Sequence, residues 1–284
     1  MNQLLINFFD NTIPLKDDYV NIFKPCKNIS YVRPAKYEWD GITVFTDMLI
    51  LNENLLKSVK SKWKIAWLLE PPQIFPHTYQ NIVNFEDYFD FIYTYDERLL
   101  IRGEKYKKMY FGSCWITEEF CKIHEKTKMV SMVASNKRLT DGHNFRHEII
   151  SKLHNTYNFD LWGSGYNYFE HTEEKIAGRF KDYRYSIVVE NGRLNNYFTE
   201  KIIDCFATGT IPIYWGDPKI KDIFDERGFY TFSTIEELED ILSNKISIED
   251  YNSKIDFIKN NFELHKKYES PDKWMYENCY KQLN

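Results

Sequence analysis

The chain has 284 residues, of which 43% are apolar, and a formal net charge of −5. That length supports one large or two modest domains with real cores, and the apolar share excludes a disordered chain. With no basic stripe, the acidic balance argues against a nucleic-acid partner, so an anionic ligand would have to be held by a few placed Lys or Arg residues.

The N-terminal "MNQLLINFFD" has neither a basic leader nor a long apolar run, and reads as a first strand rather than a signal peptide. Further strands are predicted at 41–47, 64–70, 90–95 and 108–112, then at 128–135, 158–163, 185–190, 210–215 and 228–233. Several are apolar at both alternating positions, which favours parallel strands covered on both faces. Helical patterns at 142–155, 172–182, 199–208 and 234–243 lie between them. This alternation is the signature of α/β architecture. The polar stretch "IHEKTKM" (123–129) is the best hinge, giving two Rossmann-like halves, 1–127 and 128–284, the second with a helical tail from 247 onward. No run of about 18 apolar residues occurs, so no transmembrane segment is expected and the protein should be soluble. The five cysteines (Cys26, Cys114, Cys121, Cys205 and Cys279) are odd in number and scattered, without a CxxC. They read as reduced thiols of a cytoplasmic protein, not as a zinc site. Tyr and Phe number 21 each, which suits stacking on sugars or bases but equally suits plain core filling.

The informative stretch is "YSIVVENGRLNNYFTEKIIDCFATGTIPIYWGDP", 185–218. A strand ending in Glu190–Asn191 would present both at its carboxyl end, where open α/β sheets bind ligands. Thr199 is a good N-cap for the next helix. Glu200 in the first turn suits the helix dipole, whereas Lys201 opposes it by up to about 1 kcal/mol. A bound phosphate would reverse that sign, because the helix N-terminus already offers free N–H groups. The alternative is that Lys201 turns to solvent or pairs with an acid. Gly209 stands where a helix C′ residue belongs. Pro212 predicts a bulge or an unpaired edge in the following strand. His143 and His147 are spaced i,i+4 on a predicted helix, as zinc ligands can be, but there is no third ligand nearby and no HExxH, so no metal is expected.

The run "YRYSIVVENGRLNNYFTEKIIDCFATGTIPIYWGDP" resembles the donor-binding signature of the α-1,3/4-fucosyltransferases, glycosyltransferase family 10. The resemblance rests on Glu190–Asn191, Tyr197, Thr199–Glu200–Lys201, Pro212 and Gly216–Asp217–Pro218. Upstream, "VASNKRLTDGHNFRHEIISKL" (133–153) is similar to the family's strand, loop and Arg-bearing helix, with Arg146 at the position of an arginine that contacts the donor diphosphate. From the residues alone, an Arg fork on a helix after a strand end suits phosphate, or forms a surface ion pair. In "WLLEPP" (67–72), Glu70 falls where bacterial members carry a proposed catalytic base, although the usual preceding Gly is missing.

The resemblance implies a GT-B fold of two facing Rossmann-like domains, the N-terminal for the acceptor and the C-terminal for the donor. It implies an inverting transfer of fucose from GDP-fucose to an acceptor glycan hydroxyl, with α-1,3 linkage expected. Glu70 would be the base and Arg146 and Lys201 would hold the diphosphate. Glu200 would hold ribose or fucose hydroxyls, while Glu190, Asn191 and Tyr197 would shape the donor pocket. No Asp-x-Asp occurs, which fits a site without a metal cofactor. The alternatives are a same-fold transferase using another nucleotide sugar, a non-catalytic binding relic, and a phosphorylase or epimerase-like enzyme. No G-x-G-x-x-G follows the first strand, so NAD chemistry is not expected.

Overall fold

The computed structural model describes residues 3–11, 20, 23–166 and 173–284. The chain forms two compact units, one made of 1–111 with 270–284 and the other of 112–269.

In the first unit, β1 (Leu4–Phe9), β2 (Ile29–Val32), β3 (Glu38–Thr46), β4 (Lys60–Trp67), β5 (Phe91–Thr94) and β6 (Tyr106–Lys108) form a wholly parallel sheet. Its order is β2-β1-β3-β4-β5-β6. The consecutive buried residues Ile42–Phe45 and Ile65–Trp67 show why the strands read as apolar runs, since both faces are covered. Sequence reasoning missed β2, whose four residues "ISYV" are too short to separate from a loop by pattern.

In the second unit, β7 (Lys128–Val133), β8 (Asp160–Trp162), β9 (Tyr183–Val189), β10 (Ile211–Trp215) and β11 (Tyr230–Thr231) form a parallel sheet ordered β11-β10-β9-β7-β8. In both units the strand order reverses between the first and third strands, at β1/β3 and at β7/β9. In doubly wound sheets this reversal opens a crevice at the carboxyl ends of those strands.

The units divide at Phe111/Gly112, upstream of the 127/128 boundary expected from the hinge-like stretch. The reason is that 112–127 is tied into the second unit. Trp115 N–H donates to Asp204 Oδ1 at 2.7 Å, and buried Lys126 sends its ammonium to Thr208 O (2.7 Å), Thr210 Oγ1 (2.9 Å) and Lys181 O (3.0 Å). The segment 270–284 packs back onto the first sheet. Its Met275, Cys279 and Tyr280 join the core of Ile6, Phe8, Tyr31 and Trp67, and Tyr31 Oη donates to Asp272 Oδ1 at 3.0 Å.

The predicted helices 142–155, 199–208 and 234–243 are Asp141–Tyr157, Glu200–Thr208 and Ile235–Asp240, N-capped by Thr140, Thr199 and Thr234. The predicted helix 172–182 is shorter, Glu173–Gly178, and residue 172 lies outside the described residues. Gly209 caps its helix at φ 73°, a conformation that costs glycine nothing. Pro212 makes no bulge, because β9 and β10 stay in register from Ile211↔Tyr185 to Trp215↔Val189. Pairing with β11 begins only at Ile213, so the proline nitrogen has no ladder to complete on that side. Among the described residues no helix is long and apolar enough to cross a membrane.

The Lys126 ammonium anchors one element to carbonyls of others, and its removal leaves buried acceptors unsatisfied. Lys126→Met is expected to destabilise the second unit by about 2–4 kcal/mol, read as a lower urea midpoint at unchanged m-value.

Candidate functional site

The site grows from the carboxyl end of β9. Glu190, the first residue past that strand, is fully buried. Its Oε1 accepts the Thr199 N–H at 2.9 Å, and Thr199 Oγ1 lies 2.9 and 3.1 Å from its two oxygens. Lys201 Nζ stands 3.2 Å from Oε2. This carboxylate therefore turns to the start of the helix Glu200–Thr208. It holds the pocket together rather than lining it.

Lys201 takes the second of the two courses open to it and pairs with acids. Its ammonium lies 3.2 Å from Glu190 and 3.2 Å from Glu200, and donates to Thr199 Oγ1 at 2.8 Å. Burial works against its charge, but Glu190 and Glu200 outweigh that, holding its pKa above the usual lysine value even with Arg146 opposing them. Glu200 is half-buried, and desolvation raises its pKa, yet Lys201 and Thr199 keep it below the ordinary glutamate range.

Arg146 enters from the helix Asp141–Tyr157. It is buried, with Nε donating to Val189 O at 3.0 Å and Nη2 to Asn191 Oδ1 at 3.1 Å. Asn191 thus orients the guanidinium. Burial lowers the Arg146 pKa, against the pull of Glu190, Glu200 and Tyr197. Tyr197 is buried beneath the site, 1% exposed. The structure brings Arg146, Glu190, Asn191, Tyr197, Glu200 and Lys201 into one cluster within the second unit.

Two glycines permit this closeness. A Cβ on Gly142 would stand 1.8 Å from Glu190 O, and one on Gly216 would stand 2.1 Å from Tyr214 Oη and 2.8 Å from Glu190 Cγ. Gly142 N–H also donates to Asn191 O at 3.1 Å. The N-termini of two helices therefore meet at the end of β9, at the β7/β9 reversal. Both dipoles direct positive potential there, and free N–H groups suit an anion. A cavity of about 210 Å³ opens beside them, lined among others by Arg193, Tyr214, Gly216, Asp217 and Phe232.

Sequence reasoning singled out His143 only as a weak metal ligand. It is buried, with Nδ1 2.8 Å from Thr140 Oγ1. Burial, then Arg146, Lys137 and Lys201, push its pKa down to about 4, so it is neutral beside two cations. Among the described residues no group of three or more His, Cys, Asp or Glu could hold a metal.

Glu70 lies in the first unit, half-buried, just beyond β4, which stops at Trp67. Its N–H donates to Asp47 Oδ1 at 3.2 Å and its carbonyl accepts from Tyr79 Oη at 2.8 Å. Asp47 was read only as the end of a strand. An Asp at the carboxyl end of a strand was the available signal. Burial first, with Glu70 and Asp10 adding, pushes Asp47 up to about 8.

The family model described as glycosyltransferase family 10 (fucosyltransferase), C-terminal part, matches residues 123–279, more than half of the chain. The chain belongs to that family. The match takes in every donor-side residue named above. A curated relative, an α-(1,3)-fucosyltransferase of Helicobacter pylori, is 43% identical over 47 residues, a stretch covering 16% of this chain and only 10% of that protein. Among solved structures, an α1,3-fucosyltransferase with GDP has a TM-score of 0.56 at 18% identity, covering 98% of this chain and 91% of that one. An α-glucosyltransferase in complex with UDP and DNA has a TM-score of 0.52 at 11% identity, covering 84% and 78%. At such identities the likeness is one of fold, the GT-B architecture of two Rossmann-like units.

Lys201→Met would leave the Glu190 carboxylate buried without its cation, and is expected to cost about 3 kcal/mol. Glu190→Gln in the Lys201→Met background should recover part of that loss, which a double-mutant cycle of unfolding free energies measures. His143 supplies a pH signature. Its folded pKa, about 4, lies below the ordinary 6.5, so between those values the unfolded chain binds a proton that the folded chain refuses. Stability therefore falls as pH drops from 6.5 towards 4, and His143→Asn should flatten that limb of a Tm-versus-pH curve.

Proposed function

We propose that this protein transfers fucose from GDP-fucose to a hydroxyl of an acceptor glycan, with inversion and without a metal. The observation that carries the reading is the convergence of Arg146, Lys201 and two helix N-termini at the carboxyl end of β9, in a chain of family 10. Such a cluster is suited to a diphosphate that gains charge as it leaves. The GDP bound in the fucosyltransferase of the same fold points to the same ligand class.

In this reading Glu70, in the first unit, takes the proton of the acceptor hydroxyl. The hydroxyl oxygen attacks the anomeric carbon as the bond to the diphosphate breaks, which inverts the configuration. Arg146 and Lys201 receive the charge that develops on GDP. Lys201 is paired with Glu190 and Glu200, so a diphosphate would share its ammonium with them. Glu200 is then placed to accept from a ribose or fucose hydroxyl, and Asn191 keeps the Arg146 fork in register. The α-1,3 linkage is our assignment from the family, and a cytoplasmic setting is our reading of five cysteines that form no disulfide. A second reading, another nucleotide sugar on the same fold, draws on the UDP-bound neighbour.

Calorimetric titration with GDP, GDP-fucose, GDP-mannose and UDP-GlcNAc in EDTA separates these readings. Binding of GDP and GDP-fucose without metal is the expected result, and preference for UDP-GlcNAc would transfer the assignment to the second reading. Glu70→Gln should leave GDP affinity unchanged and reduce turnover by about 100-fold or more.

A further inference from the structure

The first unit has its own reversal of strand order, between β1 and β3. The residues that follow those two strands are both aspartates, Asp10 and Asp47. Asp47 is the less ordinary of the two. Its backbone sits at φ 40°, in the left-handed region, which Asp and Asn enter more readily than other residues bearing Cβ. Its side chain is 1% exposed. Oδ1 accepts two consecutive backbone N–H groups, Leu69 at 2.9 Å and Glu70 at 3.2 Å. Oδ2 is buried and has no hydrogen-bond partner among the described residues. Thr78 Oγ1 donates to the Asp47 carbonyl at 3.4 Å. The facing charges are Glu70 itself and Asp10, which is paired with Arg33 at 3.5 Å, and the Tyr79 phenol stands nearby.

A half-satisfied buried carboxyl that grips the two amides leading into Glu70 is a costly feature to place there, because most buried side-chain oxygens are fully partnered. We infer that Asp47 is the positioning residue for Glu70: its Oδ1 clamps the Leu69–Glu70 backbone beyond β4, so that the Glu70 carboxylate keeps one aim toward the acceptor hydroxyl. This rests on the reading of Glu70 as base. The clamp needs an acceptor oxygen, not a charge. Burial, with Glu70 and Asp10 adding, raises its pKa to about 8, and either form offers Oδ1.

The test compares Asp47→Gly, Asp47→Asn and Glu70→Gln with the wild type. Glycine takes φ 40° without strain, so it removes the carboxyl while sparing the turn. Asparagine also tolerates that conformation and retains an acceptor oxygen. The assay is GDP release from GDP-fucose, with water or N-acetylglucosamine as acceptor, alongside GDP affinity, thermal unfolding and amide exchange at Leu69 and Glu70. Asp47→Gly is expected to lower kcat by about 100-fold, the scale of a misplaced catalytic group. GDP affinity and donor KM should not move, and the two amides should exchange faster. Asp47→Asn should restore both rate and protection. Wild-type kcat in Asp47→Gly with an inactive Glu70→Gln would overturn the inference and leave the base assignment standing. So would an Asp47→Asn as slow as Asp47→Gly. An inactive wild type, or an active Glu70→Gln, would instead overturn the functional reading and the inference with it.

Discussion

A carboxylate with no access to water has to be compensated where it stands, and the cluster at the end of β9 is organised around that requirement at Glu190. The Thr199 amide and hydroxyl and the Lys201 ammonium meet its oxygens. To deliver them, the helix Glu200–Thr208 must begin at the carboxyl end of β9 and nowhere else. Gly216 must lack a side chain so that the Glu190 stem can pass. Gly142 must lack one so that the second helix can approach the same strand end. The fold, the cap and the glycines are thus local answers to one buried charge.

This arrangement also changes how the cations should be regarded. Arg146 and Lys201 do not wait as bare positive charge. Arg146 is committed to Val189 O and Asn191, and Lys201 to two carboxylates. In the proposed function such groups lose little conformational freedom on meeting the diphosphate, because their side chains are already held. Preorganised electrostatics of this kind needs no rearrangement during reaction, which is how fixed donors stabilise developing charge most effectively.

Much of this was legible in the sequence. The consecutive apolar residues of β3, β4, β9 and β10 marked parallel strands covered on both faces. Thr199 and Gly209 marked the limits of one helix by capping chemistry, and Glu190 through Lys201 marked the cluster at the end of β9. What the sequence could not disclose depended on contacts between distant residues. Nothing local says that the charge on Lys201 is met by Glu190, eleven positions back, or that Glu190 faces the start of the next helix. β2 is too short to be periodic. Asp47 resembled any strand end until its oxygen was seen on the Leu69 and Glu70 amides. The hinge-like polarity of 123–129 was misleading, because Lys126 there is one of the more deeply buried cations in its unit.

The return of 270–284 to the first sheet has a consequence for how the molecule is made. Met275, Cys279 and Tyr280 complete a core whose other members, from Ile6 to Met109, are translated before any of the second unit. The second unit, by contrast, is one unbroken stretch. Vectorial synthesis therefore delivers the later-coded unit whole while the earlier-coded one still lacks part of its interior. During that interval Tyr31 is without Asp272 and the apolar ends of β1 and β2 are only partly covered. The first unit's core is therefore closed only once the last residues of the chain are in place.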